Sequence, residues 1–262
     1  MSNTRQYTDD ELIRRVWDVE EIKKLIHKRV IYIANEMRKE ELEELWVQEP
    51  EHKKTASFGR NTGYYTGMDS IYNYYVTHHV EERSKLLSAL HAADKNIEDT
   101  PENLHFGCLA SHPVSTGLVE LAGDGQTAKG MWYSIAQETE PNTDGTAKAL
   151  WMPEKIAVDF VKEGDSWKIW HIVIATDLVS EAGEDYSRQE VYHNYETNPV
   201  DVEFGTPDIA KIIHNTDFNW WDNYPPMPVA YDTFSDEVSY GPEGYVRPKL
   251  YGLDSKEGRN FR

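Results

Sequence analysis

The sequence predicts an α+β fold, with helices first and a sheet after them. Three observations lead there. Between Asp18 and Met37 the apolar residues Ile22, Leu25, Ile26, Val30, Ile33 and Met37 recur at helical spacing. From Gly123 to Val173 the chain turns to β-branched and aromatic residues, as in Met131-Trp132-Tyr133-Ser134-Ile135 and Ile169-Trp170-His171-Ile172-Val173. Two tight turns, Gly123-Asp124-Gly125 and Glu163-Gly164-Asp165, and a polar loop from Asn142 to Thr146 punctuate that stretch. Such spacing marks consecutive strands of one twisted meander, which the preceding helices must cover.

The elements follow in order. Thr8-Asp9-Asp10-Glu11 is a helix-start pattern, and Asp18 with Glu21 is a stronger one. The helix from Asp18 runs for roughly five turns. Its polar face carries Lys23, Lys24, Lys28 and Arg29, with Tyr32 and Asn35 on the flank of the apolar stripe. Glu40 to Val47 reads as a short helix burying Leu42, Leu45 and Trp46, and Phe58 to Gly67 as a strand or extended loop. Ser70 to Leu90 reads as a third helix whose inward face is Ile71, Tyr74, Tyr75 and Val80. After a polar loop at Asp94–Asn103, Leu104–Ala110 and Thr116–Leu121 regain strand character ahead of the meander.

Beyond Asp177 the composition changes, so the chain divides into a folded domain at 1–178 and an irregular extension at 179–262. In the extension, Thr206-Pro207-Asp208 suggests a short helix through Ile213. The segment Trp220 to Pro228 is too rich in proline for a regular helix or central strand. Its aromatic residues predict that it drapes over the domain or over a neighbouring subunit.

Composition narrows the function. The formal net charge is −19, which argues against nucleic acid or an anionic membrane as partner. Mean hydropathy is −0.70, and no apolar run approaches the ~20 residues of a membrane span. No signal peptide is evident at Met1–Arg5, and the single cysteine, Cys108, forms no intrachain disulfide, so a cytoplasmic location is expected. Gly123-x-Gly125 sits between strands rather than ahead of a helix, so it is no dinucleotide fingerprint. The adjacent pair His78-His79 diverges by ~100° on a helix, and with Glu81 and Glu82 it gives no zinc spacing. No metal or cofactor is expected.

Three places resemble the SnoaL-like branch of the nuclear transport factor 2-like superfamily. They are Ala34-Asn35-Glu36-Met37 through Leu42-Glu43-Glu44-Leu45-Trp46, the helix start Gly67-Met68-Asp69-Ser70-Ile71, and the sheet segments Gly123–Ala128, Asp159–Val161 and Trp167–Ile169. The resemblance spans about residues 15–178. It implies a cone: a strongly curved mixed sheet closed at one end by helices, with an apolar interior. It also implies pairing into a homo-oligomer, a dimer or trimer. Family members include dehydratases, isomerases, cyclases and non-catalytic binding modules, so the fold alone leaves function open.

The resemblance nominates residues. Some family dehydratases pair an aspartate on the first helix with a histidine on an early strand. The aspartate position matches Asn35, which hydrogen-bonds but takes no proton. The histidine position is best matched by His105. His171 shares a face with Trp167 and Ile169 if the last strand alternates strictly, which makes it a second proton-transfer candidate. Tyr32 and Asn35 are placed to hold a substrate oxygen. Trp132, Tyr133, Tyr64, Trp167 and Ile169 are candidate substrate contacts, although only one of Trp132 and Tyr133, and one of Tyr64 and Tyr65, can face inward.

Two functions follow. One is a cofactor-independent lyase or isomerase, of dehydratase, ketosteroid-isomerase or cyclase type, acting on a cyclic, apolar, oxygenated small molecule such as a polyketide, steroid or phenol. The other is a small-molecule-binding or assembly module of the same fold, which the replacement of aspartate by Asn35 favours.

Overall fold

A computed structural model describes residues 7–61, 63–177, 179–184, 206–210 and 225–244. Helix α1 (Asp9–Ala34) is one 26-residue helix. Thr8 and Glu11 cap it reciprocally, each side chain bonding the other's backbone N–H. The start signal at Asp18 is therefore not a boundary. Asp18 lies mid-helix, buried, and accepts bonds from Lys162 Nζ and Trp167 Nε1, both at 3.0 Å. Its long-range partners outweigh its capping preference. Two short helices follow, α2 (Arg38–Leu45) and α3 (Pro50–Thr55).

The hairpin β1 (Ser57–Arg60) and β2 (Gly63–Thr66) then leads into a long helical stretch. It comprises α4 (Met68–Tyr72), a π-helical segment Asn73–His78, and α5 (His79–Ala93). The wider π turn rotates the face that follows it. Periodicity alone places Val80 inward; Val80 is 41% exposed and His79 is buried instead.

The remaining strands are β3 (Leu109–Ser111), β4 (Val114–Leu121), β5 (Thr127–Pro141), β6 (Ala147–Glu163), β7 (Ser166–Thr176), β8 (Ser180–Glu181) and β9 (Ile209–Ala210). Leu104–Gly107 are turns, so strand structure starts later than their apolar character suggests. Thr206-Pro207-Asp208 leads into β9, paired with β2, rather than into a helix; residues beyond 210 on that prediction, and Trp220–Tyr224, lie outside the described residues. The sheet runs β3-β5-β6-β7-β1-β2-β9, with β4 also on β5 and β8 on β6. Only β1–β7 pair in parallel among these strands. The sheet is curved, mixed and open, and the N-terminal helices pack into its concave side.

The concave core gathers Ile22, Ile26, Leu45, Trp46, Trp132, Phe160 and Ile169, among others. It fills the end of the cone beneath the middle of α1, where Ile22 and Ile26 point inward. The convex side carries a second cluster with Tyr64, Met131, Val173 and Tyr240. Residues 225–244 lie over that side. Gly123 N and Asp124 N donate to the carbonyls of Tyr231 and Asp232 at 2.8 and 2.9 Å, and Tyr240 N donates to Asp159 Oδ2 at 2.7 Å. No helix of the described residues is long and apolar enough to cross a membrane.

Candidate active site

The long arms of β5 and β6 extend past the filled end of the cone. Their alternate residues, Glu138 on β5 and Leu150, Met152 and Glu154 on β6, continue the concave face. Together with the second half of α1 and the π–α5 helix they enclose a cavity of about 470 Å³, within the usual range for a small-molecule site. Ile33, Phe58, Tyr74, Met152 and Ile174 give it apolar walls. Tyr65 stacks on Tyr74 with ring centroids 3.8 Å apart and braces that wall from behind.

Two histidines line this space, His79 and His112. Both are 9% exposed, and their surroundings differ in sign. His79 Nε2 lies 2.9 Å from Glu36 Oε2. An ionised carboxylate only accepts, so the proton sits on Nε2 and Nδ1 keeps a lone pair. Burial pushes the proton affinity of His79 below the ordinary histidine value, and the bond to Glu36 only partly offsets it. Glu36 itself is ionised: burial opposes its charge, but the His79 bond and the Arg38 guanidinium hold its pKa at about 2. Glu36 follows the helix end with φ 56°, a left-handed conformation uncommon for a non-glycine residue.

His112 sits between two carboxylates. Nδ1 is 3.1 Å from Glu154 Oε2 and Nε2 is 3.1 Å from Glu138 Oε1. Burial disfavours its charge, but the bonds to Glu138 and Glu154 prevail and raise the pKa to about 9. Both ring nitrogens therefore donate at neutral pH. Glu138 is lowered by the same pair despite its burial.

The nominated residues are distributed as follows. His105 lies in the turn before β3. Its ring stacks on His79 with centroids 5.8 Å apart, and its Nδ1 is 3.9 Å from Glu36 Oε1. It buttresses the His79–Glu36 pair from behind. Tyr32 donates to Glu44 on the outer surface, and Asn35 Nδ2 donates to Ile31 O at 2.8 Å while capping α1. Neither lines the cavity.

His171 is on the opposite side of the sheet from Trp167 and Ile169. A β-bulge is the cause: Asp159 pairs with His171 and Phe160 with Ile169, leaving Trp170 as the extra residue. The alternation is broken there, and His171 turns to the convex side. Its Nδ1 lies 2.9 Å from Asp159 Oδ2, beneath Ser239 and Tyr240.

Among the aromatic candidates, Trp132 faces inward and Tyr133 is 44% exposed. Trp132, Trp167 and Ile169 belong to the packed end of the core, away from the cavity lining. Tyr64 faces the convex side and packs over Gly59, where an added Cβ would come within 2.8 Å of its ring. The hairpin register sets this, since Phe58 pairs with Tyr65 and Gly59 with Tyr64.

Donor atoms of Glu36, His79 and His105 lie within 4.8 Å of one another, as do those of Glu49, His52 and Glu163. In the first group Arg38 Nε, 3.2 Å from Glu36, already supplies a balancing positive charge. In the second, Glu163 accepts from the backbone N–H groups of Gln48 and Glu49. The second is held together by these bonds through Glu163, whereas in the first Glu36 Oε1 and His105 Nδ1 are buried without a hydrogen-bond partner.

A family model for the SnoaL-like domain matches residues 14–173. The chain belongs to the SnoaL-like family. The match covers the cone and both histidines, and it ends before residues 225–244. Solved structures similar to this SnoaL-like chain include a single-substitution variant of a protein of unknown function from Mycobacterium tuberculosis, 12% identical with TM-score 0.44, covering 74% of this chain and 89% of that one. An NTF2-like protein with a cystatin-like fold from Novosphingobium aromaticivorans is 17% identical with TM-score 0.41, covering 64% and 86%. A type 2 hexachlorocyclohexane dehydrochlorinase, LinA, is 8% identical with TM-score 0.45, covering 66% and 95%. No curated protein matches the chain.

Proposed function

We propose that this SnoaL-like protein is a lyase or isomerase that needs no cofactor and moves protons with His79 and His112. One observation supports this most directly. Two histidines line a single cavity, and their environments displace their proton affinities in opposite directions. At neutral pH one is a neutral base and the other a charged acid, the division of labour that acid–base catalysis requires.

In a dehydration, His79 takes a proton from the carbon beside a carbonyl. The freed electron pair forms the new double bond as the β carbon–oxygen bond breaks. His112 gives its proton to the departing oxygen, which leaves as water. Glu36 fixes the tautomer of His79 and stabilises the imidazolium that forms, Glu138 and Glu154 favour the charged form of His112, and exchange with solvent returns both histidines to their starting states. In an isomerisation the same base would deliver the proton to another carbon. The apolar and aromatic walls suit a cyclic, oxygenated small molecule.

The test is turnover of a panel of cyclic β-hydroxyketones, followed by enone absorbance. His79→Gln and His112→Gln should each lower kcat by roughly 10²–10⁴-fold, the usual worth of a positioned acid or base, with unchanged circular dichroism. Near-normal turnover in either variant would remove the assignment. Saturable ligand binding without turnover in the wild-type protein would favour the binding-module alternative.

A further inference from the structure

The chain carries a net charge of −19, yet six of the side chains lining the cavity are lysine or arginine and three are carboxylates. The carboxylates that balance Arg29 and Arg38 are Glu41 and Glu36, neither of which lines the cavity, while His112 has Glu154 behind it and Glu138 beside it in the lining. For both arginines the cationic side of the pair faces the cavity and the anionic side lies behind it. A strongly acidic protein thus presents a positive interior, which selects anions by a local field rather than by overall charge.

Arg83 is the sharpest point of that field. It stands on α5 one turn after His79, on the same helix face. Its side chain is 9% exposed, and its Nε is buried without an acceptor. Its Nη1 donates to Glu140 Oε1 at 2.6 Å, and the Glu140 side chain is 51% exposed. A carboxylate therefore already fits against this guanidinium, held by a residue whose other side is open to solvent. An orphaned N–H on a buried guanidinium costs free energy that a second acceptor oxygen recovers, and guanidinium takes carboxylate through two parallel bonds.

We infer that the substrate is a cyclic carboxylic acid, whose carboxylate displaces Glu140 and is clamped by Arg83 about one helical turn from His79, with its ring against Phe58 and Tyr74. Arg83 is then the residue that sets specificity, and the apolar walls accept the rest of the molecule. This rests on the cavity being the substrate site.

The test compares 2-naphthoate with its uncharged isostere 2-naphthamide, titrated into the full chain and followed by calorimetry. Naphthoate should bind at least about tenfold more tightly than naphthamide, since a charge-assisted two-bond contact is lost in the amide. Arg83→Gln should abolish the difference, and Glu140→Gln should strengthen naphthoate binding by freeing the guanidinium. Equal affinities in the wild-type protein, no saturable naphthoate binding at millimolar concentration, or a preference retained in Arg83→Gln would each overturn the inference. If Arg83→Gln does not fold, weaker naphthoate binding in Glu140→Gln overturns it alone. His79→Gln should keep the naphthoate preference while losing turnover, so failure of the chemistry and failure of the specificity are read separately.

Discussion

Two histidines of the same exposure behave oppositely because their neighbours differ. His79 has one carboxylate partner, whose charge is shared with Arg38, whereas His112 has two. Activity should therefore follow a bell-shaped pH profile. It rises as His79 loses its proton below the ordinary histidine value of 6.5 and falls as His112 loses its own near 9. Glu36→Gln should lower kcat/KM and move the acid limb to lower pH, because the Glu36 charge raises the proton affinity of His79. A pH–rate series on both proteins checks this; an acid limb that stays in place would show that Glu36 does not act through His79. At this scale the sequence is least legible. The family position points at Asn35, and the carboxylate that bonds His79 is the next residue. His112 carries no local motif, and its meaning comes from Glu138 and Glu154, which lie 26 and 42 residues on.

Elements explain the other displacements. Strict alternation predicts that Trp167, Ile169 and His171 share a face, and one extra residue, Trp170, cancels that for His171. A π segment of six residues likewise shifts the inward face of the long helix from Val80 to His79. The bulge depends on pairing with a neighbouring strand and the π turn on a local change of helix hydrogen bonding, and neither periodicity nor propensity reveals them. The regular parts are legible: the helices ahead of the sheet and the meander both follow from spacing. The bulge has an energetic consequence. It delivers His171 to Asp159, which also binds Lys129, Ser239 and the backbone of Tyr240, all buried. Asp159→Asn leaves Lys129 as a buried, uncompensated charge and should cost about 3–5 kcal/mol. Urea denaturation measures this, and a loss below about 1 kcal/mol, the level of a surface pair, would mean the cluster is not a stabilising unit.

For the whole molecule, the same buried ionic groups fix how stability depends on pH. Asp159 and Glu36 are depressed to about 2 from ordinary values of 3.8 and 4.5. A depressed acid stabilises the fold above its unfolded value and loses that contribution as pH falls towards its folded value. His112 is raised from 6.5 to about 9. A raised base contributes fully below 6.5 and loses that contribution as pH rises through 9. Each group is worth roughly 2.5–3.5 kcal/mol at about 1.4 kcal/mol per pH unit of displacement. Because His79 is depressed below 6.5, the melting temperature should be highest near pH 6.5, fall on the acid side, most steeply below pH 4, and fall again towards pH 9. The acid limb comes from both sides of the sheet, the His79–Glu36 site on the concave side and the Asp159 cluster on the convex side. The alkaline limb comes from the cavity alone. Scanning calorimetry across this range on the wild-type protein and His112→Gln separates them: the variant should lose the alkaline limb and keep the acid one. A wild-type melting temperature that is flat from pH 6.5 to 9 would mean that His112 is not held as an imidazolium. The charged acid on which the proposed chemistry depends would then be absent at neutral pH.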